Sequence, residues 1–385
     1  MMKPIPYGRQ NIDQSDIDAV VSTLKSDFLT QGPRIIEFEQ KFAEYVGAKY
    51  AVLVANATEA LHISALALGV NSTSTVLTTP ITFVASANCV LYCGGKVDFV
   101  DIDPDTALMD LNKLEEKLAS KPTGYYSGVI PVDFAGLAVD LERLRFIADK
   151  YKLWILEDAC HAPGGYFVDS KGVCQHCGNG VFADVSVFSF HPVKHIACGE
   201  GGMITTNNEQ LYKKLSLLRT HGITKDPSLL YQNNNDGWYY EMQELGYNYR
   251  MPDILASLGI SQLTKADKGI ARRIEIAKRY DDAFTNTSVN NTIGRYRNGN
   301  AYHLYIIQVE KRKELYDYLR NNGIFAQVHY IPVHLMPYYR QFGWKEGDMP
   351  CAEMYYANCL SLPMYPTLTQ EEQECVINNI LKFTN

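Results

Sequence analysis

Short apolar runs alternate with longer helical patterns as far as residue 157, and this rhythm limits the fold more than any other feature. Residues 50–55 read as a buried strand, and 59–68 follow with apolar residues at helical spacing. An extended run at 75–79, a helical stretch at 85–93 and a strand at 97–101 come next. The pattern then gives a helix over 111–119, an extended run over 128–132, a helix over 141–151 and a strand over 153–157. Strands joined by crossovers of this length predict a mainly parallel sheet covered by helices, an α/β fold. Several runs are apolar on both faces, which fits burial from both sides.

The texture changes near residues 250–285, where 261–284 reads as one long, charged helix of the kind that links two domains. Beyond it, 304–309, 313–321 and 325–329 describe a smaller α/β unit, closed by an amphipathic helix over 371–383. The expected division is an N-terminal arm (1–30), a large domain (31–250), and a linking helix with a small C-terminal domain (251–385). Residues 231–237, with three asparagines in a row, read as a polar surface loop.

Composition excludes several functions. A chain of 385 residues has ample material for a core, and 43 acidic against 36 basic residues give a net charge of −7. That balance lacks the basic excess of a nucleic-acid binder, although a local pocket for one small anion is still open. No run of about 18 uncharged apolar residues occurs, so no membrane span is expected. The polar start lacks the apolar stretch of a secretory signal. Nine cysteines, an odd number, read as reduced thiols, and the expected location is cytoplasmic. Cys174 and Cys177 form a CxxC with no second pair to complete a zinc site, so no metal is expected and the two read as ordinary loop cysteines.

Four segments carry residues with chemical potential. The run 187–194 places Ser189 and Lys194 before the small, polar stretch 198–203. A lysine beside such glycines is either a solvated surface group or a buried amine able to form a Schiff base. Asp158 falls just past the end of a strand, the edge at which ligands bind in open parallel sheets. It could hold a protonated pyridine nitrogen, or simply cap a helix or pair with a surface cation. Thr58, between a strand and a helix, reads as a helix cap or as part of a phosphate site. Phe83 reads as a core residue or as a stacking ring. In chain order the four supply a phosphate cradle, a ring, a pyridinium partner and an amine, and together they outweigh their separate bland readings.

This set resembles the DegT/DnrJ/EryC1/StrS sugar aminotransferases among the fold type I pyridoxal-phosphate enzymes. The resemblance runs through Phe28-Leu-Thr-Gln-Gly32, Asn56-Ala-Thr-Glu-Ala-Leu61, Glu157-Asp-Ala159, Phe188-Ser-Phe-His191 with Lys194, and Gly199-Glu-Gly-Gly202. It continues through Gly246-Tyr-Asn-Tyr-Arg-Met251 and Gln327-Val-His-Tyr330. It implies a mainly parallel sheet in a large domain plus a smaller C-terminal α/β domain. It also implies pyridoxal 5′-phosphate as cofactor, with Lys194 as the Schiff-base lysine and Asp158 as the pyridinium partner. Ala57, Thr58 and Ser189 would hold the phosphate, Phe83 would stack on the ring, and His161 would lie near the ring hydroxyl. Asn248 would reach the phosphate of a neighbouring subunit, which makes a homodimer with shared sites part of the expectation. Tyr7, Asp27, Phe28, Leu29 and Thr30, with Gln327, Val328, His329 and Tyr330, fall at positions that resemble substrate contacts.

Within the family, the runs 29–32, 190–194 and 326–332 resemble members that serve pseudaminic acid biosynthesis. The activity implied is amino transfer from glutamate to the 4-keto position of a UDP-linked 6-deoxy-N-acetylhexosamine. Three alternatives stand beside it: a sugar 3-dehydratase on the same fold, an aminotransferase for another nucleotide ketosugar, and a non-catalytic regulatory homologue. The dehydratases carry His at the lysine position, and loss of the lysine or aspartate would mark the regulatory form; here Lys194 and Asp158 are both present.

Overall fold

The computed structural model describes residues 4–232 and 236–384; the asparagine run of the expected surface loop, 233–235, lies outside the described residues. Seven strands form the central sheet: β1 (Tyr50–Val54), β2 (Thr75–Thr78), β3 (Lys96–Phe99), β4 (Gly128–Ile130), β5 (Trp154–Asp158), β6 (Val185–Ser189) and β7 (Gly202–Thr206). Their order across the sheet is β1-β7-β6-β5-β4-β2-β3. The pairs β2–β3, β2–β4, β4–β5 and β5–β6 are parallel, and β7 alone runs against both its neighbours. The sheet is therefore mainly parallel, as the crossover lengths predict.

Successive side chains of a strand point to opposite faces, and the buried clusters follow that alternation. Val52 and Val54 of β1 pack with Leu61 and Ile63, whereas Ala51 and Leu53 pack with Phe38 and Phe42. Ile155 of β5 packs with Leu114 and Leu144, and Leu156 joins the opposite cluster. Burial on both faces explains why the strands read as continuous apolar runs.

The helices Leu111–Ala119 and Leu141–Tyr151 have the bounds expected of them, each capped by the side chain of an aspartate, Asp110 or Asp140. The helix Ala57–Ala67 begins earlier than its apolar spacing suggests, because the Asn56 side chain caps it by accepting from the Glu59 N–H at 2.9 Å. The long helix expected over 261–284 is two helices, Asp253–Leu263 and Ala266–Phe284. At the break the Thr264 hydroxyl donates to the Ser261 carbonyl at 2.6 Å, and Lys265 turns aside to Asp13 and Asp16 at 2.8 and 2.5 Å.

In the C-terminal part, Tyr305–Gln308 and Cys359–Leu362 pair antiparallel. The extended run expected over 325–329 is strand only at Ile324–Phe325, which pairs with Ile5–Pro6. The first residues thus complete this part of the molecule: Ile5 is buried with Tyr280, Leu315 and Leu360. Beyond Gln327, which makes a single bridge to Ser361, the chain leaves the pairing and carries His329 and Tyr330 to the main cavity. Cys174 is exposed on a hairpin and Cys177 is buried behind it; neither forms a disulfide. Among the described residues no helix is long and apolar enough to cross a membrane.

Candidate active site

A cavity of about 680 Å³ opens at the carboxyl ends of β1, β5 and β6. This is the edge where an open parallel sheet presents its loops and helix N-termini. Asp158, the last residue of β5, lies beside β6, in register with Val187, and Ser189 ends that neighbouring strand. After β6 the chain makes a loop closed by hydrogen bonds from Phe190 N to Gly201 O and from Cys198 N to Phe190 O, each 2.8 Å. Phe190 fixes the base of that loop in the core, and Lys194 leaves it toward the cavity.

The Asp158 carboxylate is held from two sides. Ser86 Oγ donates to its Oδ2 at 2.6 Å, and the Cys160 N–H donates to its Oδ1 at 3.2 Å. Ser86 has a single hydroxyl proton and spends it on the carboxylate. The 2.7 Å contact with Thr82 therefore runs from the Thr82 hydroxyl to Ser86. This Thr82–Ser86–Asp158 chain fixes the carboxylate before any ligand arrives.

The opposite wall belongs to Ala57 and Thr58, at the N-terminus of the helix Ala57–Ala67. The first amides of a helix have no intrahelical partner and lie at the positive end of its dipole, which favours an anion. The backbone of β7 comes close to this point: a Cβ on Gly202 would stand 2.6 Å from the Asn56 carbonyl carbon and oxygen. Only glycine lets the cradle sit against the sheet.

Aromatic and imidazole rings form the rim. Phe83 is 60% exposed at the mouth, 6.4 Å from the Tyr330 ring. Tyr7 lies 5.1 Å from the ring of His329, whose Nδ1 meets Ser361 Oγ at 2.9 Å. His161 is buried, and burial holds it well below the usual histidine range, so its ring is neutral. Its Nδ1 accepts from the Ala135 N–H at 3.3 Å, so the ring proton is on Nε2 and is donated to Tyr330 Oη at 3.2 Å. Burial pushes the Tyr330 phenol up, which leaves it protonated with its own hydrogen free to point into the cavity. Lys194 is drawn down to about 8, first by burial and then by Arg273, against the opposing pull of Cys160 and Asp158.

Tyr7, Ala57, Thr58, Phe83, Asp158, His161, Ser189, Lys194, His329 and Tyr330 all line this one cavity. The other expected site residues do not reach it within a single chain. Gln327 is engaged with Ser361 through its backbone, and Val328 packs between two buried clusters. Asp27, Phe28, Leu29 and Thr30 are exposed, beside a separate cavity of about 170 Å³ that Gln31, Gly32, Arg219 and Arg250 line. Asn248 is exposed, bridged to Thr220. Sequence reasoning missed Ser86 and His303. Ser86 stands one helical turn after Phe83, a spacing that gives it the same face, but His303 lies 109 positions from the Lys194 it approaches, beyond any local signal.

The donor set fits pyridoxal phosphate: a helix N-terminus for a phosphate, a clamped carboxylate for a cationic ring nitrogen, and a desolvated amine for an aldehyde.

The chain matches the DegT/DnrJ/EryC1/StrS aminotransferase family over residues 10–381. It is 38% identical over 378 residues to the UDP-4-amino-4,6-dideoxy-N-acetyl-beta-L-altrosamine transaminase of Campylobacter jejuni, covering 97% of this chain and 95% of that one. It is 37% identical over 389 residues to the spore coat polysaccharide biosynthesis protein SpsC of Bacillus subtilis, covering 98% and 96% of the two chains. Among solved structures it is similar to Helicobacter pylori PseC, an aminotransferase involved in the biosynthesis of pseudoaminic acid, with TM-score 0.88, 31% identity and 99% of both chains covered. It is also similar to the PLP-form of Streptococcus pneumoniae Spr1654, with TM-score 0.89, 29% identity, and 99% of this chain and 98% of that one covered. The chain thus matches enzymes of one kind along nearly its whole length, and it belongs to the DegT/DnrJ/EryC1/StrS family, fold type I sugar aminotransferases that use pyridoxal phosphate.

Proposed function

We propose that this enzyme moves an amino group from glutamate to C4 of a UDP-linked 4-keto-6-deoxy-N-acetylhexosamine, a step toward pseudaminic acid. The observation that carries the chemistry is the placement of Lys194 and Asp158 in one cavity, the amine desolvated and the carboxylate already clamped. The sugar rests on likeness to the Campylobacter jejuni transaminase and to PseC.

When bound, pyridoxal phosphate supplies an electron-poor ring that draws charge from the donor's α-carbon. Lys194 is the group that would anchor it, and Lys194 Nζ would take the proton from the donor's α-carbon and, in the second half of the reaction, deliver one to C4 of the sugar. A value of about 8 leaves a working fraction of free base near neutral pH. Asp158, its direction fixed by Ser86 and the Cys160 amide, would keep the ring nitrogen protonated. Ala57, Thr58 and Ser189 would hold the phosphate, and Phe83 would stack on the ring. His161, neutral and proton-bearing at Nε2, orients Tyr330. Tyr7, His329 and Tyr330 form the wall against which the sugar nucleotide lies.

A second subunit completes the site in this reading. Asn248 is exposed and does not line its own cavity; it would reach the partner's phosphate, and Asp27 to Thr30 would meet the sugar nucleotide. Trp238, Met242 and Leu245 lie exposed nearby at 74%, 63% and 76%, an apolar surface that suits a second copy of the chain. The reading places the enzyme in the cytoplasm, with its nucleotide-sugar substrate.

The test is mass spectrometry of products after incubation with glutamate, pyridoxal phosphate and a panel of nucleotide 4-ketosugars. The 4-amino sugar from the UDP-linked N-acetylhexosamine is the expected product. A deoxygenated sugar would instead identify a 3-dehydratase, and turnover of another nucleotide ketosugar alone would move the substrate. Lys194→Ala is expected to lose both the visible absorbance of the holoprotein and all turnover.

A further inference from the structure

Lys194 Nζ lies 3.4 Å from Nε2 of His303. The contact is long, as catalytic hydrogen bonds often are before a site is loaded. His303 is buried, with the rings of His161 and His195 at 4.3 and 5.8 Å. Its backbone is held by Arg273, a guanidinium 2% exposed on the helix Ala266–Phe284. One nitrogen of Arg273 donates to the carbonyls of Tyr302, His303 and Met364 at 3.1, 3.3 and 2.8 Å. Met364 in turn donates its N–H to the Tyr7 carbonyl at 2.9 Å. A buried cation spending its bonds on three carbonyls is an expensive arrangement, and it fixes the segment that carries His303.

We propose that His303, its backbone pinned by Arg273 as a positioning residue, is the partner of the Lys194 amine whenever that amine is not joined to the cofactor, and that it presents the amine to the cavity as free base. This rests on the reading of Lys194 as the cofactor-bearing lysine.

The groups facing the amine decide its state. Asp158 and Cys160, from the end of β5, favour the ammonium, while burial and Arg273 oppose it. His161, His195, His303 and His329 are all held neutral by burial, so none adds a fixed charge. His303 Nδ1 is buried with no partner among the described residues. An orphaned N–H is rarer in folded proteins than an orphaned acceptor, so the ring proton belongs on Nε2, where it is donated to the lone pair of the neutral amine. A hydrogen bond to the neutral form favours that form. To accept from an ammonium the ring must move its proton to Nδ1, where nothing receives it. His303 thus separates the two states of Lys194, which a merely space-filling side chain would not do.

The experiment follows the uptake of pyridoxal phosphate by the full-length protein stripped of cofactor, by visible absorbance across pH. In the wild type the rate should rise with a midpoint near about 8. His303→Leu should move that midpoint to higher pH and slow uptake about tenfold at neutral pH, the loss expected of one hydrogen bond at a reacting group. His303→Gln, whose amide can still donate, should restore part of both. A His303→Leu protein with a lowered melting temperature but an unmoved midpoint would show a structural role only and overturn the proposal. Borohydride fixation separates this from the reading beneath it. Cofactor fixed on Lys194 with an unmoved midpoint removes His303 alone; cofactor fixed elsewhere in the wild type removes Lys194 as well.

Discussion

Glu157 and Asp158 are neighbours at the end of β5, both carboxylic acids and both buried, yet they stand in opposite surroundings. Asp158 faces the cavity, where Ser86 and the Cys160 amide hold its carboxylate in place. Glu157 faces the interior, bonded to the Ser186 hydroxyl at 2.5 Å and the Gly178 N–H at 3.0 Å. Across from it is Asp133, which burial and then the charge of Glu157 push up strongly; Glu157 is itself raised by burial and, less, by the charge of Asp158, against the bonds it accepts. Asp133 Oδ2 and Glu157 Oε1 are buried with no donor among the described residues, and a proton retained on Asp133 would supply one. Cys177 completes the cluster, its sulfur within 4.8 Å of both carboxyl groups. One acid is prepared for a ligand outside the protein, while the other is satisfied by the protein itself. The strand's alternation, with no difference in chemistry, assigns the two jobs.

Three substitutions would break or sharpen this contrast. The largest effect belongs to the cavity face. Asp158→Asn keeps the shape and the Ser86 contact but removes the charge, and should cut kcat on the order of 10²–10³-fold with the fold intact, measured by turnover beside a melting curve. An active Asp158→Asn enzyme would remove the distinction between the two acids. The interior face should respond in stability. Glu157→Ala leaves Asp133 without its partner and should cost about 2–4 kcal/mol in denaturant unfolding, with cofactor uptake by the surviving folded protein unchanged. The smallest effect is in pH. Carboxyls raised in the folded state hold a proton that the unfolded chain releases, so their contribution is greatest in acid and falls as pH rises toward the raised folded value. Relative to Glu157→Gln, which cannot ionise, the wild type should therefore lose stability as pH rises above the ordinary carboxylate range. A flat difference would mean that the pair holds no extra proton.

The same pairing shows how much was legible beforehand. The run 153–157 reads as a strand from its apolar residues alone, and its end marks Asp158 as a candidate. Position relative to the strand end separates Glu157 from Asp158, but nothing local shows that Asp133 and Cys177 lie against Glu157. Asn56-Ala-Thr could be read as a helix cap or a phosphate site; the structure shows the cap, with Asn56 accepting from Glu59, and sets Ala57 and Thr58 on the cavity wall. The expected helix over 261–284 failed for a reason that no periodicity contains. Lys265 leaves the helical path for Asp13 and Asp16, 252 and 249 residues away in sequence.

By itself the sequence determined the elements and their alternation, because burial on both faces of a sheet writes itself as apolar runs and helical stripes. It also determined the family, because amine, carboxylate and phosphate cradle occur in a fixed order along the chain. The tertiary structure alone decided which buried groups meet: Ser86 on Asp158, Asp133 on Glu157, and Arg273 and His303 behind Lys194. Those contacts join residues far apart in the chain, and each depends on distances that only the closed packing of sheet and helices supplies.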